Sequence, residues 1–97
     1  MAGAMPRVEK IRDAVAAEQA AWDRATERRA DAEYALEQFK ERQDLSEEEK
    51  REFGERCQRM QVAIDVAVQE EKAAELLWRQ ALNRAEREAA RKERRLR

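Results

Sequence analysis

Chemistry in this chain would have to come from its charged side chains and one thiol, because it contains no histidine and a single cysteine, Cys57. The densest carboxylates are Glu47, Glu48 and Glu49. Their spacing suits the start of a helix better than acid–base work. Ser46 precedes Glu49 by three residues, as in a capping box, and negative charge is favoured at the positive end of the helix dipole. With two glycines there is no glycine-rich phosphate loop. A two-metal site within helices would need Glu and His facing inward from several of them, and that constellation is absent. The sequence therefore predicts no catalytic residue, no metal ligand and no cofactor. It reads as a protein that is not an enzyme.

Cys57 falls at an apolar heptad position, which predicts a small buried hydrophobe, since a reactive thiol needs an exposed, electropositive setting. A lone cysteine cannot close an intrachain disulfide and fits a reducing compartment.

Arginine is the other chemically distinctive group. From Arg84 to Arg97 the chain carries seven bases against three acids, whereas from Glu41 to Glu52 it carries six acids against three bases. The stretch "RAEREAARKERRLR" has no aromatic residues to stack on bases and no apolar face to enter a membrane. The overall charge of −1 lacks the basic excess usual in a nucleic-acid binder. Arg91, Arg94 and Arg95 are accordingly candidates for binding an acidic protein, with nucleic acid and membrane insertion not expected. The bland alternative is a solvated helix end whose cations suit the dipole.

Positioning such groups falls to long helices. The composition is 44% charged and 42% hydrophobic with only one proline, and much of the hydrophobic share is alanine, which covers little area. The predicted fold is all-α: an antiparallel two-helix coiled-coil hairpin, with association into a bundle as a way to bury more surface. Residues 1–5, "MAGAM", read as a flexible N-terminus or an appended remnant, and residues 6–97 as a single helical-hairpin domain with helices over about 6–43 and 47–92.

In the first helix Val8, Val15, Trp22 and Leu36 take a positions and Ile11, Ala25, Ala32 and Phe39 take d positions. Glu18 and Arg29 interrupt that seam. In the second helix Phe53, Cys57, Met60, Ile64, Ala67, Ala74, Trp78, Ala81 and Ala85 continue it, with Glu71 as the polar exception. A turn at residues 44–46 would oppose Phe39 to Phe53, Leu36 to Cys57, Ala32 to Met60, Ala25 to Ala67 and Val15 to Trp78. The last ten or so residues would then overhang and fray.

One apolar set does not belong to that seam. In "MQVAIDVAV", Met60, Ile64 and Ala67 face the hairpin, while Val62 and Val66, followed by Ala73 and Leu77, recur on the opposite side at helical spacing. A second stripe on a charge-rich helix predicts a docking face for a partner or a second copy, with the outward-facing Tyr34 as an additional candidate. No apolar run is long enough for a signal peptide or membrane span, so the chain reads as cytoplasmic.

Residues 7–29, "RVEKIRDAVAAEQAAWDRATERR", resemble the first helix of the YscO family of type III secretion proteins and their flagellar counterpart FliJ, although this chain is shorter than is usual there. The similarity lies in Arg7-Val8-Glu9-Lys10, the Gln19-Ala20 pair and the basic pair Arg28-Arg29. It implies a cytoplasmic stalk or adaptor of the secretion machinery that contacts the export ATPase, the export gate or chaperones. Arg7, Lys10, Arg28 and Arg29 are the matching partner-binding candidates. The alternative is a self-assembling hairpin that forms a homodimeric four-helix bundle.

Overall fold

The computed structural model describes residues 5–96, with side chains from Val8 onward. Of the expected flexible start, residues 1–4 lie outside the described range and Met5 opens the first helix. The order is α1 (Met5–Ala14), α2 (Ala16–Glu41), α3 (Glu47–Arg51) and α4 (Phe53–Leu96). Every element is a helix, as the composition predicts, and no strand occurs among the described residues. No helix among them is long and apolar enough to cross a membrane.

Each expected helix is divided by a single residue. At Val15 the backbone N–H is shared between the carbonyls of Ile11 and Arg12, each at 3.2 Å, which tightens the turn between α1 and α2. At Glu52 the backbone sits at φ −93°, ψ 2°, outside helical geometry, between α3 and α4. Hydrogen bonds nevertheless continue past it, from Glu52 N to Glu48 O at 3.1 Å and from Arg56 N to Glu52 O at 2.9 Å. Of the last ten residues, where the sequence predicts fraying, those up to Leu96 are helical in α4. Good helix formers and basic side chains in its last turns suit that end of the dipole.

The capping box is formed as the sequence predicts. Ser46 Oγ accepts from the N–H of Glu49 at 3.1 Å, and Glu49 Oε1 accepts from the N–H of Ser46 at 3.2 Å. Arg42 adds a bond to Glu49 Oε2 at 3.0 Å, so the connection between α2 and α4 is closed by its own side chains.

The described residues cluster into two compact units, one holding those up to Asp23 and from Lys72 to Leu96, the other Arg24–Glu71. In the second, Ala25, Leu36, Phe39, Ile64 and Ala67 are buried, and the rings of Phe39 and Phe53 stack with centroids 5.3 Å apart, as the sequence pairs them. In the first, Val15 and Ala81 are buried. Val8, expected in the seam, is 47% exposed instead. The core is thin because alanine supplies so many of its positions.

Two substitutions check this local structure. Replacing Ser46 with Ala should lower stability by about 1 kcal/mol through loss of the cap. A Cβ on Gly54 would meet nothing within 4 Å. Gly54→Ala should therefore raise stability by about 1 kcal/mol. Urea denaturation reads both, and an unmoved midpoint in either case refutes the corresponding reading.

Candidate interaction surfaces

In the Arg24–Glu71 unit, the two charged residues expected to interrupt the seam meet one another. Arg29 Nε donates to Glu71 Oε2 at 2.7 Å, and its Nη1 donates to Glu33 at 3.1 Å. Both side chains of the first pair are half-buried, at 27% and 21% exposure. The Arg29 hydrogen bond, aided by one from Thr26, holds the Glu71 carboxyl below its ordinary value, against the opposing effect of burial. The neighbouring Arg28–Glu70 contact is longer, 3.7 Å, and exposed. Arg29, a partner-binding candidate from sequence, is thus engaged within the chain. Arg28 remains on the surface.

In the other unit, Trp22 and Trp78 lie with ring centroids 5.0 Å apart, tilted by 43°. The heptad pattern places both in the seam but opposes Trp78 to Val15, seven positions from Trp22. That difference is one heptad. A slip of seven returns every a and d position to an equivalent one, so apolar periodicity alone cannot choose between the two registers. The residues that do not repeat can: two indoles that fit one another, and an arginine that finds a glutamate. Trp78 Nε1 and Glu18 Oε2 are enclosed without a hydrogen-bond partner among the described residues. The indole pair therefore contributes ring packing rather than a hydrogen bond.

The expected second face is exposed. In the Arg24–Glu71 unit Val62 and Val66 are 55% and 52% exposed, while Ile64 and Ala67 beside them are buried. Tyr34 is exposed as well. In the other unit Leu77 is exposed as expected, and so is Leu76, which the heptad reading did not include. Leu76 is one residue from the predicted stripe, so adjacency to Leu77 was the signal that could have found it.

Lys10 is exposed, and Arg7 lies in α1 with its side chain outside the described range. Arg91, Arg94 and Arg95 are exposed on the final turns of α4. Cys57 is half-buried. No cluster of three or more metal-ligating side chains occurs among the described residues.

Compared with models of protein families, with curated proteins and with solved structures, the chain shows no significant match.

Glu71 and Glu49 are both held below the ordinary glutamate range, Glu49 chiefly by the Ser46 backbone N–H. Such groups stabilise the folded state above their unfolded pKa, about 4.3, and that stabilisation is lost as pH falls through the lower folded value. Melting temperature should therefore drop on acidification below about pH 4.3. Glu71→Gln should flatten part of that acid slope while leaving the neutral-to-alkaline region parallel to wild type. An unchanged acid slope in the variant would mean that the Arg29–Glu71 bond does not form in solution.

Proposed function

We propose that this chain is a non-enzymatic coiled-coil interaction protein, an antiparallel two-helix hairpin whose outer face binds another protein. The observation that carries this reading is the two-sided character of α4. Ile64 and Ala67 are buried while Val62 and Val66, within the same two turns, stand more than half exposed. An amphipathic helix serving a two-helix core needs one apolar stripe, and a second on a charge-rich helix is what a docking face requires. Pairing of the hairpin is supported by Phe39 on Phe53 and Arg29 on Glu71 in one unit, and by Trp22 on Trp78 in the other.

The similarity of residues 7–29 to YscO and FliJ proteins supplies the class of partner: an export ATPase, an export gate or a secretion chaperone, met in the cytoplasm. The competing reading is a homodimer in which the valine face of one hairpin packs on that of a second, forming a four-helix bundle. It draws on the same exposed valines and on the thinness of the core.

Val66→Glu places a charge on the outer face without touching Ile64. Helicity should survive, and association should weaken by about 2 kcal/mol or more, the scale of an unpaired charge in an apolar contact. Ile64→Glu, which strikes the core, should unfold the chain. Circular dichroism separates folding from association. Light scattering of the wild type alone distinguishes a homodimer from a monomer that waits for a partner. If Val66→Glu changes neither self-association nor binding to a secretion ATPase, gate or chaperone, the docking role of this face is refuted.

A further inference from the structure

The last turns of α4 hold a surface that the valine face does not account for. Arg84, Arg87, Arg91, Arg94 and Arg95 recur at intervals of three, four, three and one. At 3.6 residues per turn they fall within an arc of about 100°. Glu86 and Glu93 lie on roughly the opposite side of the helix by the same count. All five arginines are exposed, and none makes an ion pair among the described residues.

Elsewhere the chain neutralises many of its arginines. Arg28 meets Glu70, Arg29 meets Glu71 and Glu33, Arg42 meets Asp44 and Glu49, and Arg56 meets Glu52. Arg59 and Arg79 each meet the glutamate four residues before them. The five from Arg84 to Arg95 have no such partner among the described residues, with Glu88 alone of the nearby glutamates bordering their arc.

Beside this face, within the same unit, lies a shallow groove of about 480 Å³ floored by Ala14, Ala81 and Ala85 and edged by Arg84, Arg87 and Arg91. Small residues let another backbone approach closely. Glu18 and Glu88 also line the groove, so its field is mixed. A nucleic-acid backbone, negative at every step, would meet those carboxylates and find no aromatic residue after Trp78 to stack on its bases. A helix with carboxylates along one side and apolar residues next to them meets the arginines with its charges and the alanine floor with its side chains.

The capping region of a second copy is a poor source of those carboxylates, since it already spends Asp44, Glu47, Glu49 and Glu52 on its own Arg42, Lys50 and Arg56. Glu27, Asp31, Glu37 and Glu41 of α2, by contrast, are exposed without an ion pair among the described residues, so self-association is a separate arm of the test.

We infer that the arginine face of α4 from Arg84 to Arg95, with the alanine-floored groove beside it, binds an acidic amphipathic helix of a different protein. The inference rests on reading the chain as an interaction protein but not on the valine face. It adds Arg84 and Arg87 to the residues that bind, and it names the chemistry of the partner.

Fluorescence anisotropy of the full chain against three labelled probes tests it. The first is a helical peptide with Glu at i, i+3, i+7 and i+10 flanked by Leu. The second is a scrambled peptide of the same composition, and the third a DNA duplex. The patterned peptide should bind more tightly than either of the others, and more weakly as salt rises. The double variant Arg87→Gln, Arg91→Gln should lose about tenfold or more in affinity for it, as expected when charge-assisted hydrogen bonds are removed. The double variant Arg59→Gln, Arg79→Gln, which removes arginines already paired within the chain, should lose none.

Circular dichroism should show both variants to be as helical as wild type. Val66→Glu should leave peptide affinity unchanged, so that failure of the valine-face reading and failure of this one are separately visible. Absence of peptide binding, equal binding of the scrambled peptide, or equal loss in the two arginine variants would each overturn the proposal. Tighter binding of the duplex would replace the acidic helix by a nucleic acid. Self-association abolished by Arg87→Gln, Arg91→Gln would replace it by a second copy.

Discussion

The contact on which much of this architecture depends is the half-buried pair of Arg29 with Glu71. Both residues occupy seam positions, where an isolated charge is costly because it loses water without gaining a partner. Joined at 2.7 Å, with Glu33 and Thr26 as further partners, each satisfies the other. Such a pair contributes less to net stability than to choice among alternatives, since well-packed apolar residues of similar size can be as stable or more so. Its importance here lies in the monotony of the surrounding seam. Alanine and heptad spacing leave a slip by seven residues opposed mainly by the residues that do not repeat, the indole pair among them, and any slip that separates Arg29 from Glu71 strands two charges.

The thinness of the core follows from the same composition. Of the buried hydrophobic residues, Ala25, Ala67 and Ala81 offer little area, and the larger ones, Leu36, Phe39, Ile64 and Val15, are few. Rings extend the packing through Phe39 with Phe53 and Trp22 with Trp78. Against this modest interior stand exposed Val62, Val66, Leu76 and Leu77. Large apolar side chains left outside a small core are a natural source of association energy.

Charge is partitioned along with apolarity. Where carboxylates are dense, around the capping box, ion pairs with Arg42, Lys50 and Arg56 consume them locally. Where arginines are dense, at the end of α4, the nearby glutamates fall mostly on another side of the helix. The near-zero total of −1 thus conceals a surface that is self-neutralised in one region and unsatisfied in another.

The amino-acid sequence by itself determined the helical class, the capping box at Ser46 and Glu49, the burial of Leu36, Phe39, Ile64 and Ala81, and the outward placement of Val62, Val66, Leu77 and Tyr34. Each is a local or periodic property: a cap is written within four residues, and the side of a helix on which a residue lies is set by its spacing from its neighbours. Tertiary structure alone decided that Trp78 meets Trp22 rather than Val15 and that Arg29 is held by Glu71 rather than free for a partner. It also decided that the helices divide at Val15 and Glu52, that α4 remains helical to Leu96, and that Arg84, Arg87, Arg91, Arg94 and Arg95 have no ion-pair partner among the described residues. These depend on residues far apart in the chain or on backbone geometry that a seven-residue repeat leaves undetermined. A repeat specifies which residues face inward; only contacts between unlike residues specify which of them meet.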